Sequence, residues 1–388
     1  MSDVFRQSVL NRLPQEATKA PWSEDEEQKE ELDELGSLPG SSKNRDLSPL
    51  SAAGYFDQAL EVEPPGSDTT FRVYVSEPTT KDKTYLVCHH GAGSGGLSFA
   101  ALAKYVREES KRELGLVAFD CRGHGKVPLA SIRANDLGKT RGGNDTDWSL
   151  STLVSDFMGI IDHMFKETKP AFVLLGHSMG AAPVISAAPL LLQKGYTVSG
   201  VVVLDVVEGT AIESLPLMKS ILAKRPTSFR SVEDGIYWHV ASATIRDTES
   251  ARLSVPALLV PAPNVTNPGP QSRQVWRTDL GASAPYWSEW YTGLSSRFLM
   301  SKCARLLVLA GQERLDKELM VGQMQGKFQL EVMADVGHYL HEVGAHSQDN
   351  PRKLAAIVVA FWRRNTRILV LPPKMGSQGV VVKKVGEM

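Results

Sequence analysis

Ser178 stands at the centre of Gly176-His177-Ser178-Met179-Gly180, directly after the apolar run Phe172 to Leu175 and before the small-residue stretch Ala181 to Ala188. A strand, a tight turn and a helix start are what a G-x-S-x-G nucleophile elbow requires. The glycines let the turn close without side-chain clashes, and the serine hydroxyl is raised beside the positive end of the following helix. Two prolines depart from the pattern: Pro183 falls in the first turns of that helix, and Pro189 lies deeper, where a kink is expected. A serine hydroxyl is a weak nucleophile near neutral pH, so a base must stand beside it, and nine histidines compete for the role. With this elbow the chain order is serine, acid, histidine, the histidine on a late loop. His338, in Asp335-Val336-Gly337-His338, follows the strand-like Phe328 to Met333 and precedes a helix expected over Pro351 to Trp362, so it is the predicted base. His341, three residues on, is its rival.

The oxyanion of such a reaction needs backbone N–H groups aimed at the developing charge. One comes from Met179, the residue after the serine; the other comes from a glycine-rich loop after an early strand. His90-Gly91-Ala92-Gly93, following Tyr85 to Cys88, supplies that loop, with Ala92 as donor. The same loop has a second reading, because Gly91-x-Gly93-x-x-Gly96, with Asp120 ending the next strand, matches the dinucleotide-binding fingerprint. A dinucleotide enzyme has no use for a serine elbow and a late Gly-His, whereas an ester hydrolase uses all three elements. Asp120-Cys121-Arg122-Gly123-His124-Gly125 then reads as a tight hydrolase loop in which His124 is structural. The acid stays open at this level. Asp205 ends the run Val201 to Leu204 and Asp316 follows the run Leu306 to Leu309; both precede His338, with Glu208 and Glu313 as lesser candidates.

These residues need a scaffold, and the chain supplies short β-branched runs alternating with helical stretches. Phe71 to Val75, Tyr85 to Cys88, Leu116 to Phe119, Phe172 to Leu175, Val201 to Leu204 and Leu306 to Leu309 read as strands, with helices over Phe99 to Lys111 and Ser149 to Lys166. That alternation predicts an α/β fold with a mostly parallel central sheet and helices on both faces. The interval from about 209 to 300 breaks the rhythm and reads as a helical insertion forming a lid. Its aromatic cluster Tyr286, Trp287, Trp290 and Tyr291 is either the insertion's own core or a binding surface. Residues 1–54 hold the run Glu24 to Glu34, with eight acids and one lysine, and read as a disordered acidic arm. The domain proper is expected over 55–370, with a flexible tail over 371–388.

Composition excludes several classes. The 388 residues carry 43 Lys plus Arg against 44 Asp plus Glu, so no global positive field would hold a nucleic-acid backbone. No apolar run has the length of a membrane-spanning helix. Three cysteines without CxxC spacing argue against a disulfide scaffold or structural zinc site, which fits a cytoplasmic or nuclear protein.

The elbow string, together with Asp205-Val206-Val207-Glu208-Gly209-Thr210-Ala211, Glu249-Ser250-Ala251-Arg252, Arg314-Leu315-Asp316-Lys317, Gly322-Gln323-Met324-Gln325-Gly326-Lys327-Phe328 and Gly337-His338, resembles the protein phosphatase methylesterase family. The likeness spans about residues 70 to 365. It implies an α/β-hydrolase that removes the methyl ester from the C-terminal leucine of the type-2A protein phosphatase catalytic subunit, alone or in its holoenzyme. It also implies that the acid is Asp205. Ala181 stands where family proteins often carry a second glycine. On this reading Ser178 attacks the ester, His338 takes its proton, Asp205 orients the imidazole, and Met179 and Ala92 receive the oxyanion. No metal or organic cofactor is implied. Two other readings are a phosphatase-binding inhibitory protein with secondary esterase activity and a generic small-ester esterase.

Overall fold

The computed structural model describes residues 46–125, 146–263, 265–311, 315–334, 336–342 and 350–366. The β-branched runs become strands β1 (Gln58–Val62), β2 (Phe71–Ser76), β3 (Thr84–His89), β4 (Leu114–Phe119), β5 (Ala171–His177) and β6 (Thr197–Leu204). After an insertion that holds β7 (Ser228–Phe229), β8 (Leu259–Pro261) and β9 (Gln274–Trp276), the sheet resumes with β10 (Ala304–Ala310) and β11 (Gln329–Met333). The main sheet has the order β1-β2-β4-β3-β5-β6-β10-β11. It is parallel from β4 to β11 and antiparallel where β2 meets β1 and β4. Strands β3, β4 and nearly all of β5 are buried along their whole length, as continuous apolar runs covered on both faces must be.

The helices are α1 (Ala100–Glu109), α2 (Leu150–Phe165), α3 (Ala181–Gln193), α4 (Glu208–Ala223), α5 (Val232–Ala241), α6 (Thr248–Ser254), α7 (Trp287–Tyr291), α8 (Leu294–Met300), α9 (Lys317–Met324) and α10 (Asn350–Thr366). Helices α1 and α10 cover one face of the sheet, where Phe99, Leu102, Leu354 and Phe361 bury against Leu86, Leu175 and Val202. Helices α2 and α3 cover the other, with Phe157, Ile161, Val184 and Leu191 against Val87, Phe172 and Leu174. Helix α3 runs unbroken through Pro189.

Two expectations need correction. The insertion is not purely helical: β7, β9 and β8 form a small antiparallel sheet whose own core includes Phe229, Ile236, Trp238 and Leu259. The arm also ends earlier than composition suggests. Leu50 donates its backbone N–H to the Arg252 carbonyl at 3.0 Å, and the Arg252 guanidinium binds the Ser48 carbonyl and the Asp46 carboxylate, each at 2.6 Å. Leu47 and Leu50 pack on the domain beside it. Such a clasp depends on one partner 200 residues away and leaves no local pattern. The acidic run and the 371–388 tail lie outside the described residues.

Candidate active site

Strand β5 runs out at His177, and the next residue takes a left-handed backbone, with φ of 51° at Ser178. A non-glycine residue there is strained, and the surroundings must impose it. They do so by close approach. A methyl group on Gly176 would fall 2.3 Å from the Gly180 carbonyl oxygen, and one on Gly180 would fall 2.3 Å from the His89 carbonyl oxygen. Only glycine fits either place, so the elbow is held by its own turn and by the end of β3. The single turn Ser178–Gly180 then leads into α3.

The late loop brings His338 to the end of the sheet, where its Nδ1 stands 2.8 Å from Asp205 Oδ2. Asp205 follows β6, also with φ of 51°, and its other oxygen accepts the Ala310 N–H at 2.7 Å. Its side chain is 1% exposed against 35% for His338. A buried carboxylate with one oxygen on the backbone and one on the imidazole fixes the tautomer, because Nδ1 must then carry the proton and Nε2 is left as the basic nitrogen.

Asp316 does not reach the histidine. It caps α9 by accepting the Leu319 N–H at 2.9 Å, and it takes the Ser295 hydroxyl at 2.5 Å. Glu208 is also occupied, receiving the N–H groups of Gly293 and Ser295 at 2.8 and 2.9 Å. Glu313 lies outside the described residues. His341 is fully buried, its ring stacked on Phe99 with centroids 4.7 Å apart, and its neighbour in the elbow is His177. Burial pushes its pKa down to about 3.

The glycine-rich loop lies against the elbow. A methyl group on Gly91 would stand 3.2 Å from Ser178 Cβ and 2.9 Å from His177 Nδ1, so the loop that carries Ala92 runs against the serine. Two buried histidines tie this loop to the segment after β4. His90 Nδ1 donates to the Gly91 carbonyl at 2.8 Å while its Nε2 accepts the Cys121 N–H at 3.0 Å. His124 Nδ1 donates to the Arg122 carbonyl at 2.9 Å while its Nε2 accepts the Gly93 N–H at 3.0 Å. Both rings must be neutral to accept, and burial accordingly depresses both, His124 to about 4. His124 is structural, as expected. The dinucleotide reading also fails on Asp120, which is fully buried with its oxygens on the Gly96 N–H at 2.6 Å and the Tyr74 hydroxyl at 3.2 Å, out of reach of a ribose.

Sequence reasoning missed two neighbours. His177 donates from Nε2 to the His338 carbonyl at 2.8 Å, with its ring 4.6 Å from that of His338 and 4.5 Å from that of His341. It occupies a variable position of the elbow motif, so nothing in the pattern marks it. Tyr291, from the aromatic cluster, brings its phenol to the Ser178 hydroxyl, and burial raises the phenol's pKa. The cluster is not the insertion's own core: Trp287 and Trp290 are buried in the core of the main sheet. Trp290 is core, donating to the Trp148 carbonyl at 2.8 Å, while Tyr291 faces the serine. The insertion also meets the glycine-rich loop through Leu280, which fills the space beside Gly93.

Residues 86–357 match the alpha/beta hydrolase family. Protein phosphatase methylesterase 1 of Cryptococcus neoformans var. neoformans serotype D is 54% identical, the alignment covering 100% of both chains. The protein of the same name from Schizosaccharomyces pombe is 38% identical over 95% of this chain and 98% of its own. Among solved structures, E-2-(acetamidomethylene)succinate hydrolase superposes with a TM-score of 0.56 at 15% identity, covering 79% of this chain and all of its own. An M. tuberculosis esterase gives 0.54 at 16% identity, over 79% of this chain and 92% of its own. Those two share the fold alone, whereas the first two are similar in sequence over nearly the whole of both chains. The chain belongs to the alpha/beta hydrolase family and, within it, to the protein phosphatase methylesterases, which makes it a carboxylic ester hydrolase.

Proposed function

We propose that this methylesterase acts on the methylated C-terminal leucine of the type-2A protein phosphatase catalytic subunit, through an acyl-enzyme on Ser178. The observation that carries the mechanism is the Asp205–His338 pair standing beside a strained serine elbow. The name of relatives that match the chain supports a methyl ester on a protein phosphatase, and the type-2A C-terminal leucine is what the family resemblance implies.

The geometry supports the following chemistry. As the ester enters, the Ser178 hydroxyl, which the Tyr291 phenol faces, is presented to His338 Nε2. Nε2 takes the hydroxyl proton as Oγ bonds to the leucine carbonyl carbon, and the buried Asp205 carboxylate stabilises the imidazolium through Nδ1–H. The carbonyl oxygen becomes an oxyanion held by the N–H groups of Met179 and Ala92. Collapse expels methoxide, which takes the proton from Nε2 and leaves as methanol. Water, deprotonated by His338, then attacks the acyl-enzyme and frees the carboxylate and the serine.

The leaving group is one carbon, so discrimination must come from remote contacts with the protein that carries the ester. The test is mass spectrometry of the methylated phosphatase, and of its methylated C-terminal peptide alone, incubated with this protein. Loss of one methyl group is expected from both, with a higher kcat/KM on the intact phosphatase. Ser178→Ala should abolish this loss and all fluorophosphonate labelling. An intact methyl ester in the presence of labelled, active Ser178 would overturn the substrate; labelling on a different serine would overturn the nucleophile.

A further inference from the structure

Arg225 follows the C-terminal end of α4 and lays its guanidinium on the Trp276 indole, with Cζ 3.7 Å from the ring centroid. The platform is rigid. Trp276 donates its indole N–H to the Pro226 carbonyl at 2.7 Å and packs edge-on against Phe229, Trp238 and His239. Stacking occupies the face of a guanidinium and leaves its in-plane N–H fork for an acceptor. Among the described residues that fork has no hydrogen-bond acceptor and no carboxylate beside it. Burial of the guanidinium lowers the arginine's pKa, with only the nearby Tyr339 phenol opposing that shift, and burial keeps that phenol protonated by raising its own pKa. A partly buried cation without a counter-ion is costly to keep. Two other arginines buried or half-buried near the site have oxygen partners: Arg122 holds Asp156 with bonds of 2.5 and 2.7 Å, and Arg277 binds the Ala257 carbonyl at 3.2 Å.

Its place in the fold says what the missing partner is. Tyr339 is the residue after His338, and its ring lies 5.6 Å from the His338 ring, so Arg225 stands where the insertion meets the loop of the proposed base. We propose that Arg225, seated on Trp276 with its N–H fork unengaged, is a carboxylate-binding residue of the substrate path, taking an acidic side chain of the polypeptide near its esterified terminus. This rests on the reading of the substrate as a protein ester. An arginine fork presented in this way favours a carboxylate over an amide because both oxygens are engaged by charge-assisted bonds.

The test uses hexapeptide leucine methyl esters of alanine, with a single aspartate walked through the five positions before the leucine, and the matching asparagine set. Methanol release by the full chain should favour aspartate over asparagine by about tenfold in kcat/KM at one position, carried by KM. In Arg225→Gln that ratio should fall to about one, while Arg225→Lys retains part of it. Circular dichroism should be unchanged in both variants and reports that they are folded. Equal rates on the two peptide sets in the parent enzyme overturn the proposal and leave the demethylase reading standing. Hydrolysis of p-nitrophenyl acetate with no turnover of any peptide overturns the protein-ester reading and the proposal with it. The leucine carboxylate of the product is the other source of such a ligand. If the all-alanine free-acid peptide loses affinity in Ser178→Ala/Arg225→Gln relative to Ser178→Ala while the aspartate preference persists, the side-chain assignment is overturned in favour of that carboxylate.

Discussion

Two carboxylates stand after neighbouring strands, and their backbones decide their work. Asp205 is locked in a left-handed conformation with both oxygens engaged, one by the Ala310 N–H and one by His338. Asp205→Asn offers the imidazole a group that can donate as well as accept, so the tautomer is lost. A fall in kcat of about 10⁴-fold is expected, read by methanol release, with circular dichroism confirming the fold. Asp316→Asn should stay within about threefold of the parent, because asparagine caps a helix as well as aspartate does. A normal rate in folded Asp205→Asn would place the acid elsewhere. His177 acts one bond further out, through the carbonyl of His338. His177→Phe keeps a ring between His338 and His341 but removes the donor. It should lower kcat by about tenfold with little change in KM, because a loosened base misaligns the transition state more than it weakens binding. An unchanged kcat would reduce His177 to packing.

At the scale of elements, the insertion and the arm differ in how they are fixed. The insertion has its own core and also touches the site through Leu280 and Tyr291, whereas residues 46–54 hold on through Arg252 and two leucines. Truncation before Asp46 should leave the melting temperature unchanged. Truncation through Gly54 should lower it by about 2–6 °C, measured by calorimetry, because it strips partly buried leucines and unpairs Arg252. Equal melting points would show the clasp to be decoration. The strands and the serine elbow were legible because continuous apolar runs and a five-residue motif are local signals. Histidine order was legible for the same reason, His338 being the late Gly-His. The choice between Asp205 and Asp316 was not, since both follow parallel strands and what separates them is a contact with His338, 133 residues from Asp205. His177, Tyr291 and the arm's clasp were illegible because each depends on a partner more than a hundred residues away, which no period or spacing encodes.

Across the whole molecule, buried titratable groups set how stability answers to pH. His89, His90, His124, His177, His239 and His341 are all depressed by burial, with values of about 4 at His89 and His124 and about 3 at His239 and His341. Glu342, buried after the His338 loop and bonded to the Ser254 hydroxyl at 2.6 Å, is raised to about 8 by desolvation. The unfolded histidines take up protons below about 6.5 where the folded ones do not, so stability falls as pH drops through that range. For Glu342 the sign reverses. The folded state keeps a proton that the unfolded state releases, so its contribution is full below about 4.5 and lost as pH rises to about 8. Six histidines outweigh one acid below pH 6.5, and Glu342 pulls stability down above it. Urea denaturation at about pH 5, 6.5 and 8 should therefore peak in the middle, and Glu342→Gln should flatten the alkaline side alone. A parent profile that rises to pH 8 would show Glu342 to be ionised in the folded protein. The strand order has a consequence of another kind, in time. Strand β10 must pair with β6 across the whole insertion, from Leu204 to Ala304, and such distant pairing is slow because loop entropy is lost before any contact repays it. An insertion with its own core shortens that loop if it condenses first. Its small sheet would then be a chaperone in cis, bringing the two ends of the catalytic frame within reach of each other before the histidine arrives.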